Sequence, residues 1–163
     1  MKKITLLIFF LLVGTSLYAD NKIDSVVALK LGMTFQQVES AIGKKLEMDP
    51  LASFYHYYRP DGTEASVWFK DSRLVQIRLV YKEKKLEKTD TALGFFHEVR
   101  EDLTAKWGTP TKKARELVVW EDGVNIAVLR LLPSEKPHLP PTLKLVLSAN
   151  KSSFAIKSTL EGF

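Results

Sequence analysis

Three histidines, no cysteine and a set of closely spaced aromatic residues are the side chains here with any prospect of chemistry. His56 lies among Tyr55, Tyr57 and Tyr58; His97 stands one helical turn before Glu101; His138 sits between prolines. A zinc site needs several ligands held together, commonly at helical or hairpin spacing, and no two of these histidines have it. Neither an HExxH pattern nor a Gly-x-Ser-x-Gly nucleophile turn occurs. His97 with Glu101 reads as a surface helix pair. Without cysteine the chain has no disulfide, thiol nucleophile or thiolate metal site. The eight glycines fall mostly at turns and helix ends, not in a phosphate-cradling loop. These residues therefore point to a non-enzymatic protein with no cofactor.

The aromatic residues are more informative. Phe54, Tyr55, Tyr57, Tyr58, Trp68, Phe69, Tyr81 and Trp120 all fall on segments with strand character. Side chains alternate across a strand, so these residues cannot all enter one core. With Ala65, Val67 and Phe69 turned inward, Trp68 faces outward beside Glu64 and Ser66. Gln76 and Arg78 share that outer face, joined by either His56 and Tyr58 or Tyr55 and Tyr57. The candidate protein-binding set is thus His56, Tyr58, Trp68, Gln76 and Arg78. Tryptophan, tyrosine and arginine on an open sheet face have the composition of interface hot spots. The competing expectation is a small second core, with the C-terminal tail or the proline loop lying over this face.

Helices and strands must position those residues. Thr34 stands where a helix N-cap belongs, and Gln37 three residues on completes a capping box. Phe35, Val38, Ala41 and Ile42 follow at helical spacing, and Gly43 is suited to end the helix in the left-handed conformation. Before it, residues 20–30 allow a short strand or one helical turn. After it come strands over 54–59, 64–69 and 74–81, turned at Pro60-Asp61-Gly62 and at Asp71-Ser72. In the last of these Val75, Ile77, Leu79 and Tyr81 share one side. The charged run 82–88 reads as a solvated linker.

A longer helix is expected from Asp90 to Trp107, with Leu93, Phe96, Val99 or Arg100, Leu103 and Trp107 on its apolar stripe. Gly108 and Pro110 close it. Strands over 114–121 and 124–132 flank Asp122-Gly123, a hairpin signal. A loop with Pro133, Pro137, Pro140 and Pro141 then leads to a strand over 142–149, with Leu143, Leu145 and Leu147 on one side and Lys144 and Ser148 on the other. Its prolines suit a segment that stays soluble and unpaired at a sheet edge. Residues 150–163 form a tail whose structure the sequence leaves open.

When Gly43 is aligned with Gly108, Val38 falls on Leu103 and Ile42 on Trp107. The expected fold is α+β: two tandem units, about 20–82 and 89–150, each a helix followed by a three-strand meander. One helix on three strands has little core of its own. Joining both meanders edge to edge into one antiparallel sheet, with both helices on one face, resolves that.

Residues 1–19 read as a secretory signal peptide: Lys2 and Lys3, an apolar stretch from Ile4 to Val13, then small residues up to Ala19. That stretch is too short to span a bilayer. Removing nineteen of 163 residues leaves 144, a single domain over 20–163, and lowers the net charge from +5 to +3. A charge so modest, with basic residues interleaved among acids, argues against nucleic acid as a partner. The expected location is the periplasm or the exterior, with no transmembrane segment after cleavage.

At Gly32-Met33-Thr34, Gln37-Val38 and Ile42-Gly43 the chain resembles envelope proteins of the SmpA/OmlA type and the wider beta-lactamase-inhibitor-like superfamily. The motif covers about a dozen residues, and the order of elements covers most of the mature chain. The resemblance implies a helix leading into a three-stranded meander, in tandem as in the inhibitor-like proteins, and a tendency to bind proteins in the envelope. The outer-membrane assembly members are single-unit lipoproteins, whereas this chain has two units and no cysteine to carry a lipid anchor.

The expected function is an exported, non-enzymatic binding module that offers its aromatic and arginine-bearing sheet face to a protein of the bacterial envelope. Two alternatives stand beside it. One is a small-ligand carrier or enzyme with a pocket between helices and sheet, using His56 and nearby tyrosines; the other is a structural envelope protein with no discrete partner.

Overall fold

The computed structural model describes residues 22–51, 53–81, 86, 89–134 and 139–149. The signal segment 1–19, the tail 150–163 and His138 lie outside the described residues, as does the charged linker apart from Leu86, which is buried.

The chain opens with a minimal hairpin, β1 (Ser25–Val26) and β2 (Leu29–Lys30). This settles the lead-in as strand. Its turn places Val27 at φ +51°, an unfavourable conformation for a β-branched residue. Helix α1 (Phe35–Ile42) follows with the expected ends. The Thr34 amide donates to Gln37 Oε1 at 2.9 Å, and the Gln37 amide donates to Thr34 Oγ1 at 3.3 Å. Gly43 adopts φ +66°, and its amide reaches back to the Glu39 carbonyl. The segment before α1 is tied to the sheet: the Gly32 amide donates to the Leu74 carbonyl, and the Leu74 amide to the Met33 carbonyl, both at 2.8 Å. Gly32 holds φ +86° to make that approach.

Four strands follow α1: β3 (Glu47–Met48), β4 (Tyr55–Tyr58), β5 (Glu64–Lys70) and β6 (Arg73–Tyr81). Asp71 and Ser72 both take positive φ between the paired Lys70 and Arg73, a two-residue turn whose twist matches the strands. Helix α2 (Thr89–Trp107) precedes four more: β7 (Lys112–Lys113), β8 (Leu117–Glu121), β9 (Asn125–Leu132) and β10 (Thr142–Ala149). Each run therefore has one strand more than the expected three. The extra strands are two residues long and sit at the sheet edges, too short for any periodicity to mark them.

The eight strands form one sheet in the order β3-β4-β5-β6-β10-β9-β8-β7, and every pairing is antiparallel. The last strand of each run meets the other at the centre, where Ile77 opposes Leu147 and Leu79 opposes Leu145. The fold is α+β with most residues in sheet.

One face of the sheet carries the core. Cross-strand rows such as Tyr57, Ala65, Leu79, Leu145, Leu129 and Val118 run across it. Both helices and the β1–β2 hairpin pack there through Val38, Phe96, Leu103, Trp107, Ile23, Val26 and Leu29. Two expectations are corrected. A β-bulge opposite Trp68 and Phe69 brings Leu74, not Val75, into the core. The turn between β8 and β9 centres on Gly123 and Val124, because the Asp122 amide pairs with the Asn125 carbonyl and Asp122 itself serves as an acceptor.

Candidate protein-binding face

Strand register determines which side chains share the face opposite the helices. One row crosses Tyr58, Glu64, Val80, Lys144, Arg130 and Leu117; the next crosses His56, Ser66, Arg78, Val146, Val128 and Val119. A third crosses Trp68, Gln76, Ser148, Ile126 and Glu121. All five candidate residues, His56, Tyr58, Trp68, Gln76 and Arg78, therefore lie on one face of three adjacent strands.

Their accessibility differs from the expectation of an open face. Trp68 is 8% exposed and Gln76 3%, so neither presents itself to solvent. Tyr58 is 54% exposed, while His56 and Arg78 are partly buried. The correction has a physical cause within the face. The Arg78 guanidinium lies 5.0 Å from the Trp68 ring centroid and 5.3 Å from that of Phe54, whose own ring is 4.9 Å from Trp68. This three-member stack covers the indole and fixes the arginine. Val119, Val128 and Val146 are also buried on this face and stand apart from the main core. The layer is a partly closed second apolar cluster with its accessible margin at Tyr58 and His56.

Arg78 is held by its neighbour in the row. Its Nη2 donates to Ser66 Oγ at 3.1 Å, whereas its Nε is buried without a hydrogen-bond partner. Burial pulls its pKa below the ordinary arginine value, and Glu64 partly offsets that. Lys144 directly opposes Arg130 and sits diagonally from Arg78, which opposes Val146. Its pKa is lowered by burial, then by Arg78 and Arg130. Tyr58 anchors the other end: its carbonyl accepts from Lys44 Nζ at 2.6 Å, and its ring meets the His56 ring edge-on at 6.2 Å. His56 Nε2 lies 3.6 Å from the Glu47 carboxylate.

Lys144 and Arg130 were not among the residues singled out from the sequence. Alternation shows that Lys144 points away from the leucines of β10. That β9 and β6 flank it, bringing two more cations alongside, depends on the order of strands distant in sequence.

The remaining candidates behave differently. Glu101 pairs with Arg100 at 3.5 Å and not with His97. His97 instead contacts Phe96 edge-on, with Nδ1 buried and without a partner. An open groove of about 400 Å³ runs beside α1 and β4, lined by residues including Ile42, Lys44, Tyr57, Tyr58 and Arg59. It contains Tyr58 but neither His56 nor a carboxylate. Among the described residues no group of three or more His, Asp or Glu side chains is placed to hold a metal ion. No described helix is long and apolar enough to cross a membrane.

Compared with protein-family models, with curated proteins and with solved structures, the chain matches none.

Proposed function

We propose that this chain is an exported, non-enzymatic binding module that engages a protein partner of the bacterial envelope through the outer face of its sheet. One observation carries the reading: His56, Tyr58, Trp68, Gln76 and Arg78 share one face while both helices pack against the other. Packing against Phe54 and Trp68 holds the partly exposed Arg78 in place beneath this face, which lowers the ordering cost of association. Tyr58, with its ring half out in solvent, is the natural anchor.

Trp68 is too deeply set to test this cleanly, since truncating it would also leave a cavity. The paired change His56→Ala and Tyr58→Ala is the better probe. Affinity capture from native envelope extract with the wild-type chain is expected to retain a discrete protein partner. The double variant should lose most of it while its melting temperature stays within about 3 °C, as for changes away from the core. Equal capture by both forms would refute the proposal.

A further inference from the structure

We infer that residues 150–163 of this chain lie across the middle of the outer sheet face and close it as a second core, leaving the margin at His56 and Tyr58 open. This goes beyond the proposed function and does not rest on it. The motive is burial that the described elements do not explain. Among the described residues, both helices and the β1–β2 hairpin pack on the opposite face. Yet on the outer face Val146 is 4% exposed, Val128 7% and Val119 9%, and Ser148 is fully enclosed. These short side chains stand upright on β10, β9 and β8, so their tips meet water unless something lies over them. Phe54 and Arg78 are engaged with Trp68 on β5, and β6, β10 and β9 separate that strand from β8.

The position of the buried band identifies its occupant. The band runs through Trp68, Gln76, Ser148, Val146, Val128 and Val119, and β10 ends at Ala149, one residue beyond Ser148. In the row nearest Thr142, by contrast, Tyr58, Glu64, Val80, Lys144, Arg130 and Leu117 all keep some exposure. The proline loop leaves from Leu132 and returns at Thr142, at that more open end, so it is poorly placed to lie over the valines. The fourteen residues from 150 to 163 can extend about 45 Å, whereas β5 and β8 each lie about 10 Å from β10.

Composition fits that placement. Within those fourteen residues stand Phe154, Ile156, Leu160 and Phe163, against three charged side chains, Lys151, Lys157 and Glu161. Segments that stay in solvent are poor in large apolar residues because they have nothing to bury them against. The valines of β8, β9 and β10 offer such a surface, and burial of both sides removes apolar area from water.

The test uses the chain over 20–163, whose lack of cysteine makes single-thiol variants clean reporters. Val128→Cys reports on the outer face, Ala127→Cys on the main core and Asp102→Cys on the exposed side of α2. Maleimide should modify position 128 about tenfold or more slowly than position 102, because reaction there waits for local opening. Adding Phe154→Ser, Ile156→Ser and Leu160→Ser should raise the rate at 128 about tenfold and leave 127 protected. Equal rates at 128 and 102 with the tail unaltered would overturn the inference. So would protection at 128 that persists through the three tail substitutions. If those substitutions expose 127 as well, a benzophenone side chain in place of Phe154 in the otherwise unaltered chain decides. Adducts within one chain to β8, β9 or β10 support the inference; adducts to α1 or α2, adducts between two chains, or none, overturn it. Partner capture through His56 and Tyr58 is a separate readout, so either reading can fail without the other.

Discussion

Asp122 shows how one side chain can hold distant backbone together. Its Oδ1 accepts the Val124 and Asn125 amides at 2.9 and 2.7 Å, and its Oδ2 accepts the Ile23 amide at 2.9 Å. The β8–β9 turn is thereby joined to the segment leading into the first hairpin. Burial alone would raise its pKa, but the amides of Asn125, Ile23 and Val124 outweigh that and hold it below the ordinary 3.8. A depressed carboxylate stabilises the fold above its unfolded pKa and loses that contribution as pH falls through the folded value. Asp122→Ala should accordingly reduce stability by about 1–2 kcal/mol at neutral pH, a figure discounted for its exposure. Urea titrations at pH 7 and pH 3 check this. The gap between variant and wild type should narrow at the lower pH, and a gap that widens would show that the carboxylate is not the stabilising species.

Among the elements, the junction of α2 with β8 depends most visibly on single contacts. Trp107 closes the helix, and Trp120 meets it edge-on with ring centroids 5.6 Å apart. Trp120 Nε1 donates to the Gly108 carbonyl at 3.1 Å, satisfying a group the helix end would leave open. Trp120 is almost wholly enclosed, so Trp120→Ala should cost about 3–5 kcal/mol in chemical denaturation. Trp120→Phe should cost clearly less, because it keeps an aromatic ring near Trp107 and loses only the hydrogen bond and the remainder of the indole. Equal losses would place the energy in the hydrogen bond and not in the packing.

Much at this scale was legible before any coordinates. Thr34, Gln37 and Gly43 mark the ends of α1 because capping is local chemistry between residues a few positions apart. Leu143, Leu145 and Leu147 mark the inward side of β10 because the pleat has a period of two. The bulge that exchanges Val75 for Leu74 breaks that period without any glycine or proline to announce it. The burial of Trp68 was visible only as the competing expectation of a second core. Alternation assigns a side chain to a face, but Phe54 and Arg78 reach Trp68 only because β4, β5 and β6 align in a particular register. The two-residue strands β3 and β7 fall below the length at which any pattern is visible.

At the scale of the whole molecule, β6 and β10 join two successions of helix and strands into one sheet. Sheet order is set by this long-range pairing, with six residue pairs from Leu143↔Tyr81 to Ser148↔Gln76. It brings Arg78, Lys144 and Arg130 abreast and, among the described residues, leaves helices on the opposite side only. We propose that this outer face, and not the helical side, meets a partner. Site-specific photo-crosslinking compares the two directly, with a benzophenone side chain placed at Tyr58 on the outer margin or at the exposed Asp102 on α2. In native envelope preparations, discrete protein adducts are expected from position 58 and none from position 102. Adducts of equal yield from both positions, or from 102 alone, would contradict the claim.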